Sequence, residues 1–133
     1  YTYVDSKVTL AQEARAVQTS QSRALAGQSN NLFNLIGETS FGGFQARVLL
    51  NYFGDRISDV GANGAPDIVE EGRETLDVVL IQRFNRLALR LTFENLTDPD
   101  FLWTQSLEGR ATEDQRVFKL GRTISLSFGY SFF

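Results

Sequence analysis

The 133-residue chain contains no cysteine, no histidine and no methionine, and only two prolines. Without cysteine it forms neither a disulfide framework nor a Cys-ligated zinc or iron–sulfur site. Without histidine it has neither the commonest metal ligand nor the commonest general base. No stretch approaches about 18 uncharged apolar residues, which excludes a transmembrane helix. A membrane β-strand is not excluded, because its signal is alternation rather than a continuous apolar run.

Size and charge narrow the alternatives further. The length fits one domain. Thirteen basic and sixteen acidic residues give a net charge of −3, so we expect no nucleic-acid partner. The chain opens at Tyr1 to Val4 with neither an initiator methionine nor a signal peptide, and we therefore expect a piece of a longer protein or a processed chain.

Apolar residues alternate with polar ones at every second position, which is the pattern of a β-strand. In the segment Arg86 to Glu94, three leucines and a phenylalanine share one face, while Arg90 and Thr92 lie on the other. A helix would scatter these leucines around its axis. The same pattern predicts six strands: Tyr1–Ala11, Asn31–Phe41, Phe44–Tyr52, Thr75–Phe84, Arg86–Glu94 and Ile124–Phe132.

The predicted connections differ in length. Gly42-Gly43 and Asn85-Arg86 are tight turns, since glycine and asparagine tolerate the positive φ of short hairpins. Long polar loops are predicted for Gln12–Asn30, which includes the helix-like composition of 13–26, and for Asp55–Arg73 and Thr97–Gln115. The tight turns then lie at one end of the sheet and the long loops at the other, as in outer-membrane barrels.

Alternation alone leaves open which way the apolar face points. A soluble sandwich buries it against a second sheet, and a membrane barrel turns it to lipid. Ile124–Phe132 would span about 30 Å at ~3.3 Å per residue, which is long for a soluble strand and close to what a tilted membrane strand needs. In a barrel, Leu87, Leu89, Leu91 and Phe93 would face lipid, and Tyr130, Phe132 and Phe133 would join an aromatic girdle.

Four segments together resemble the C-terminal barrel of TonB-dependent outer-membrane receptors. They are Asn51–Ile57, Gly72–Asp77, Glu94–Asp98 and Gly121–Ser125, the last followed by the aromatic terminus. The resemblance covers Leu32–Phe133 well and Tyr1–Asn31 loosely. One departure is that Tyr130 and Phe132 have the family's terminal aromatic spacing, with Phe133 one residue extra.

The resemblance implies an all-β, antiparallel transmembrane barrel, of which residues 1–133 supply the last six or so of about 22 strands. It implies a multi-pass protein of the bacterial outer membrane that takes up a scarce solute, such as a siderophore–iron complex, cobalamin or a glycan. The implied partners are the remaining barrel and plug domain, outer-membrane lipid, the barrel-assembly machinery through the C-terminal aromatic strand, TonB through a TonB box outside this chain, and the external solute ligand.

Several residues have a structural and a functional interpretation side by side. Asn95, before Thr97-Asp98-Pro99, is expected to hold a turn rather than a ligand. Trp103, with Phe101 and Leu102, is expected to anchor at a membrane interface rather than stack on a ligand. A lumen-facing set that solvates the inner wall or meets the plug comprises Arg47, Asp77, Arg83, Arg86, Arg90 and Glu94.

The external loops carry acidic side chains and glycines without the spacing of a calcium site. We therefore expect no metal, no cofactor and no catalytic residue, and we expect the protein not to be an enzyme. The acidic set, expected to be solvated, is Asp59, Asp67, Glu70, Glu71, Glu108, Glu113 and Asp114, and the glycines expected to give flexibility are Gly54, Gly61, Gly64 and Gly109. Two alternatives remain: a small or oligomeric outer-membrane barrel without transport, and a soluble all-β binding domain.

Overall fold

The computed structural model describes residues 1–11, 17–19, 22–106 and 112–132. These residues are all-β, and their strands pair antiparallel. The described part of the chain offers no helix long and apolar enough to span a bilayer. The strands are β1 (Thr2–Tyr3), β2 (Val8–Thr9), β3 (Ser22–Arg23), β4 (Asn31–Phe41), β5 (Phe44–Phe53), β6 (Arg56–Asp59), β7 (Ile68–Glu70), β8 (Arg73–Phe84), β9 (Leu87–Glu94), β10 (Phe101–Gln105), β11 (Glu113–Phe118) and β12 (Thr123–Tyr130).

The chain divides into two compact units, each made of three segments. Unit 1 comprises Tyr1–Leu32, Tyr52–Arg73 and Asp100–Lys119. Unit 2 comprises Phe33–Asn51, Glu74–Pro99 and Leu120–Phe133.

Unit 2 is an antiparallel sheet with the strand order β4-β5-β8-β9-β12. Its hairpins turn at Gly42-Gly43 and at Asn85-Arg86, as predicted, and the first three of these four residues have positive φ. A side chain on Gly43 would also place its Cβ 2.7 Å from the backbone oxygen of Arg83. The tight first turn therefore depends on glycine.

Unit 1 contains a second antiparallel sheet, in the order β11-β10-β7-β6, together with the small β2–β3 hairpin. β1 pairs with the first two residues of β4, Thr2 opposite Leu32 and Tyr3 opposite Asn31. Val4 continues this pairing by donating its N–H to the backbone oxygen of Asn30.

Five of the six predicted strands lie within two residues of their predicted bounds, and Asn31–Phe41 matches at both ends. The strand predicted for Arg86–Glu94 begins at Leu87, because Arg86 belongs to the turn. The strand predicted for Ile124–Phe132 ends at Tyr130. The prediction of one strand over Tyr1–Ala11 is wrong. β1 and β2 are two-residue strands with different partners, separated by Val4 to Lys7.

The prediction of three long irregular loops is also wrong for the described residues. Four short strands, β3, β6, β7 and β10, lie in those segments, and a fifth, β11, begins in the last of them. They are only two to six residues long, and four of them pair across sequence separations that local alternation does not reveal.

Burial in this chain is unusual for its size. Among the described residues no hydrophobic side chain is buried, and the buried polar or charged residues are Ser29, Glu70 and Thr104, all in unit 1. A soluble domain places its large apolar side chains in a core. Here those side chains stay on sheet surfaces.

Candidate functional site

One face of the unit 2 sheet is apolar from strand to strand. In the register of β8, β9 and β12, Leu80, Leu91 and Leu126 lie opposite one another, and residues directly opposite share a face. The neighbouring sets of directly opposite residues on these three strands share this face as well, and one of their members, Gln82, is polar. The other members of this apolar face on these strands are Val78, Phe93, Ile124, Leu89, Phe128, Phe84, Leu87 and Tyr130.

The apolar face continues onto β5, because Phe44 lines one shallow groove with Leu89, Leu91 and Leu126. None of the described residues forms a layer over this face: Phe128 is 70% exposed and Leu126 57%, while Leu89 and Leu91 are half-buried by their neighbours. The arrangement that would contradict an outward apolar face, burial of these side chains under a second sheet, does not occur among the described residues.

The opposite face of the same sheet carries its charges. Arg47 donates to Glu38 at 2.7 Å across β4 and β5, and Arg83 donates to Gln45 at 2.8 Å across β5 and β8. Arg90 lies on this face too, lining a groove with Arg47 and Glu38. Of the six predicted lumen-facing residues, five share this face by alternation, including Asp77 and Glu94, while Arg86 lies in the turn.

Aromatic side chains gather on the apolar face at the end of the sheet where the short turns lie. Phe41 and Phe44 flank the Gly42-Gly43 turn, and Phe84 precedes the Asn85-Arg86 turn. Tyr130 stands in the same row as Phe84, and its ring meets that of Phe132 edge-on at 5.0 Å. Phe133, predicted to join this group, lies outside the described residues.

At the opposite end of the sheet Asn95 holds a turn. It has a φ of 57°, donates its backbone N–H to Asp77 Oδ1 at 2.8 Å, and donates its side-chain Nδ2 to the backbone oxygen of Gly121 at 2.7 Å. Asp98 accepts from the Gly121 N–H at 3.0 Å. These contacts give Asn95 the structural role expected from the sequence.

The most buried charge among the residues that the structure describes lies in unit 1. Glu70 is 5% exposed and accepts hydrogen bonds from Arg56 Nε at 2.7 Å and from Arg73 Nη1 at 2.5 Å. Burial alone would raise the pKa of Glu70, but hydrogen bonds from the two guanidinium groups and their positive charge outweigh it and lower the pKa below 4.5. Glu70 therefore stays ionised at neutral pH and joins β6 to β7.

The expectation that Glu70 is a solvated loop carboxylate is therefore wrong. The carboxylate of its neighbour Glu71 is hydrogen-bonded as well, because it accepts a hydrogen bond from the Thr104 hydroxyl at 2.6 Å. Asp67 accepts from the backbone N–H of Gly61 at 2.7 Å. Of the rest of this acidic set, Asp59, Glu113 and Asp114 are exposed, and Glu108 lies outside the described residues.

Gly61 is likewise a packing residue rather than a flexible one, since an added Cβ would lie 2.0 Å from the backbone oxygen of Ala65. Gly109 falls outside the described residues.

An aromatic stack adjoins the Glu70 ion pair. The ring of Phe118 lies 5.0 Å from Phe101 and 5.5 Å from Trp103, in nearly parallel planes. Two guanidinium groups lie over rings of the stack. That of Arg73 is 4.0 Å from the centre of the Phe101 ring, and that of Arg116 is 5.2 Å from the centre of the Trp103 ring. Trp103 thus packs within unit 1 against Phe118 and Arg116, and its role as an anchor at a membrane interface stays a prediction.

Sequence reasoning missed this cluster. Arg56, Glu70, Trp103 and Arg116 stand in one cross-strand row, in that order, on β6, β7, β10 and β11. The only local signal was the alternation of Phe101 with Trp103 and of Arg116 with Phe118, which does not reveal the partner strands.

Among the described residues no group of three or more acidic side chains is placed to hold a metal ion. Comparisons with protein-family models, with curated proteins and with solved structures gave no match.

Proposed function

We propose that this chain forms part of the wall of an outer-membrane β-barrel, with the apolar face of unit 2 against lipid and its charged face toward the barrel interior. The observation that carries the proposal is the uncovered apolar face. Five strands at about 4.8 Å, each about 27 Å long, give a face of roughly 650 Å². Monomeric soluble proteins rarely expose an apolar patch above about 300–600 Å².

The length of the apolar face also suits a bilayer. From Leu76 to Phe84 it runs eight residue steps without a charged side chain, or about 27 Å along the strand. A tilt of about 40° reduces this to ~20 Å, near the ~25 Å apolar band of membrane barrels. The aromatic residues beside the short turns, including Phe41 and Phe84, then lie at one membrane interface.

Charge placement supports the same orientation. An arginine on the lipid face at mid-bilayer costs about 2–4 kcal/mol. Arg47, Arg83 and Arg90 all lie on the other face, where water or protein solvates them. Inverting the sheet would bring these three guanidinium groups to lipid and leave the leucines toward the interior.

We further propose, from the resemblance of Asn51–Ile57, Gly72–Asp77, Glu94–Asp98 and Gly121–Ser125, that the parent protein is a TonB-dependent receptor for a scarce solute. In this proposal unit 2 supplies wall, and the remaining barrel, the plug domain and the TonB-contacting region lie elsewhere in the parent. A parent gene that encodes no plug domain would remove the transport part of the proposal and leave a structural or binding barrel.

The membrane orientation is tested with single cysteines, which is direct because the chain has none of its own. Spin labels would be attached at Leu89→Cys and Leu91→Cys, with Ala88→Cys and Thr92→Cys as controls from the same strand. In lipid vesicles we expect the leucine positions to be accessible to oxygen and the control positions to a water-soluble nickel complex. If the chain stays dissolved in water without detergent, and the nickel complex reaches the leucine and control positions equally, a soluble all-β domain would be favoured instead.

A further inference from the structure

The charged face of unit 2 contains a groove with an apolar floor and guanidinium groups beside it. Its volume is about 260 Å³. That exceeds the roughly 150 Å³ that encloses benzene, and it falls just below the roughly 300–1,000 Å³ of pockets for drug-sized ligands. We call it the arginine groove, and its lining includes Glu38, Gln45, Arg47, Val79, Ile81 and Arg90, all in unit 2.

We propose that the arginine groove binds a small organic carboxylate. The carboxylate group lies between Arg47 and Arg90, and a compact apolar body covers Val79 and Ile81. This site goes beyond the proposed role of the sheet as a barrel wall, because binding requires only the charged face and not the lipid contact of the apolar one.

The sheet register places the two arginines on either side of the apolar floor. Arg90 on β9 lies directly opposite Ile81 on β8. On the other side of β8, Arg83 donates its backbone N–H to the backbone oxygen of Gly43 at 2.9 Å, and counting along the antiparallel pair from that bond places Arg47 opposite Val79. The backbones of β5 and β9 are two strand spacings apart, or ~10 Å, a gap that two arginine side chains can bridge through one small anion.

Both guanidinium groups keep donors available for a ligand. Arg90 donates Nε to the Thr92 hydroxyl at 3.3 Å, and its two terminal nitrogens have no partner among the described residues. Arg47 donates Nε and Nη2 to one oxygen of Glu38, which leaves Nη1. The side chains of this ion pair are 53% and 59% exposed, so water screens it and a bound carboxylate can share Arg47 with Glu38.

Charges of opposite sign are separated along this sheet. Glu38 is the one acidic residue near the groove among the described residues of unit 2. The acidic residues Asp77 and Glu94 lie four residues along their strands from Ile81 and Arg90, or about 13 Å away. Positive charge therefore exceeds negative charge at the end with the short turns, which attracts an anion. The cations at that end are Arg47, Arg83, Arg86 and Arg90.

The lining also indicates which kind of anion fits. The planar fork of a guanidinium group matches both carboxylate and phosphate oxygens. Val79 and Ile81, however, offer no hydrogen bond from their side chains, so a hydrated ion such as inorganic phosphate would lose water against them without compensation. An organic carboxylate places hydrocarbon there instead and keeps its oxygens at the arginines.

The test is NMR titration of the full chain, labelled with ¹³C at isoleucine methyl groups, in micelles of a nonionic detergent. Benzoate is the probe. Ile81 lies in the groove, and Ile124 on the apolar face reports benzoate that dissolves in detergent. We expect a saturable shift of the Ile81 methyl signal and none at Ile124. Benzyl alcohol, which lacks the charge, and inorganic phosphate, which lacks the ring, should each bind about tenfold more weakly or less well still.

Variants of equal charge change identify the residues. Arg90→Gln should weaken benzoate binding about tenfold, whereas Arg86→Gln, in the turn outside the groove, should change it less than about twofold. Glu38→Gln should strengthen binding severalfold because Arg47 is no longer shared. Glu94→Gln, about 13 Å along β9, should leave it nearly unchanged. An unchanged Ile124 signal shows in each variant that the sheet is intact.

Equal benzoate shifts at Ile81 and Ile124 would overturn the proposal. So would equal affinity for phosphate or benzyl alcohol, or equal losses in Arg90→Gln and Arg86→Gln. The spin-label pattern on β9 reports the lipid-facing orientation separately, so failure of the carboxylate site and failure of the proposed function are distinguishable.

Discussion

Replacing Glu70 by glutamine should destabilise unit 1 by about 3 kcal/mol. The side chain of Glu70 is 6% exposed, and its carboxylate forms ion pairs with Arg56 at 2.7 Å and with Arg73 at 2.5 Å. Glutamine keeps the shape but removes the charge and turns an amide N–H₂ donor toward guanidinium donors. Removing one partner of a buried ion pair costs about 3–5 kcal/mol, and we expect the low end because Arg56, at 41% exposure, regains water.

The chain provides its own probe for this measurement. Trp103 is the only tryptophan and stands directly opposite Glu70 in the sheet. Urea unfolding would be followed by Trp103 fluorescence, with Glu113→Gln, an exposed carboxylate on β11, as the matched control. Surface substitutions usually change the free energy of unfolding by no more than about 0.5 kcal/mol. If Glu70→Gln lowers this free energy by an amount within that range of the control, the argument that the ion pair holds β6 and β7 together is refuted.

The same ion pair predicts a pH dependence with a definite sign. The pKa of Glu70 is lowered in the folded state, so its contribution is complete above its ordinary value of 4.5 and is lost as the pH falls through the folded pKa. Below pH 4.5, the wild type should therefore lose stability more steeply than Glu70→Gln. Parallel stability curves for the two proteins in acid would contradict this assignment.

Three further substitutions test other parts of the structure. Leu89→Arg should impair insertion into lipid vesicles by about 2–4 kcal/mol, while Ala88→Arg, one residue away on the charged face, should insert nearly as well as the wild type. Asn95→Ala should lower stability by about 2 kcal/mol in circular-dichroism unfolding, because alanine is strained at positive φ and lacks the side-chain hydrogen bond. Gly61→Ala should cost more than about 1 kcal/mol by Trp fluorescence, whereas Gly37→Ala, with open space around its Cβ, should be neutral or stabilising.

The long strands and their tight turns could be predicted from local sequence. In Leu87–Glu94 and Thr123–Tyr130, alternation persists over eight residues, so the strand and its two faces follow from the order of side chains alone. Gly42-Gly43 and Asn85 mark their turns because few other residues adopt positive φ at low cost. The structural role of Asn95 was predictable for the same reason.

The short strands could not be predicted in this way. β7 has only three residues, and it becomes a strand because β6 and β10 satisfy its backbone groups on both sides. Likewise, nothing near Trp103 in the sequence indicates that Phe118 will stack on it. Their pairing depends on contacts between residues far apart in the chain.

By itself, the sequence determined that the chain is all-β, where its long strands lie and which side chains share a face, because side chains alternate with a period of two residues along any strand. The tertiary structure was needed to show that the supposed loops form a second sheet, that Glu70 is buried between two arginines, and that the apolar face stays uncovered in the part of the chain the structure describes. Burial and pairing are properties of the space around a residue, and distant segments create that space when they come together.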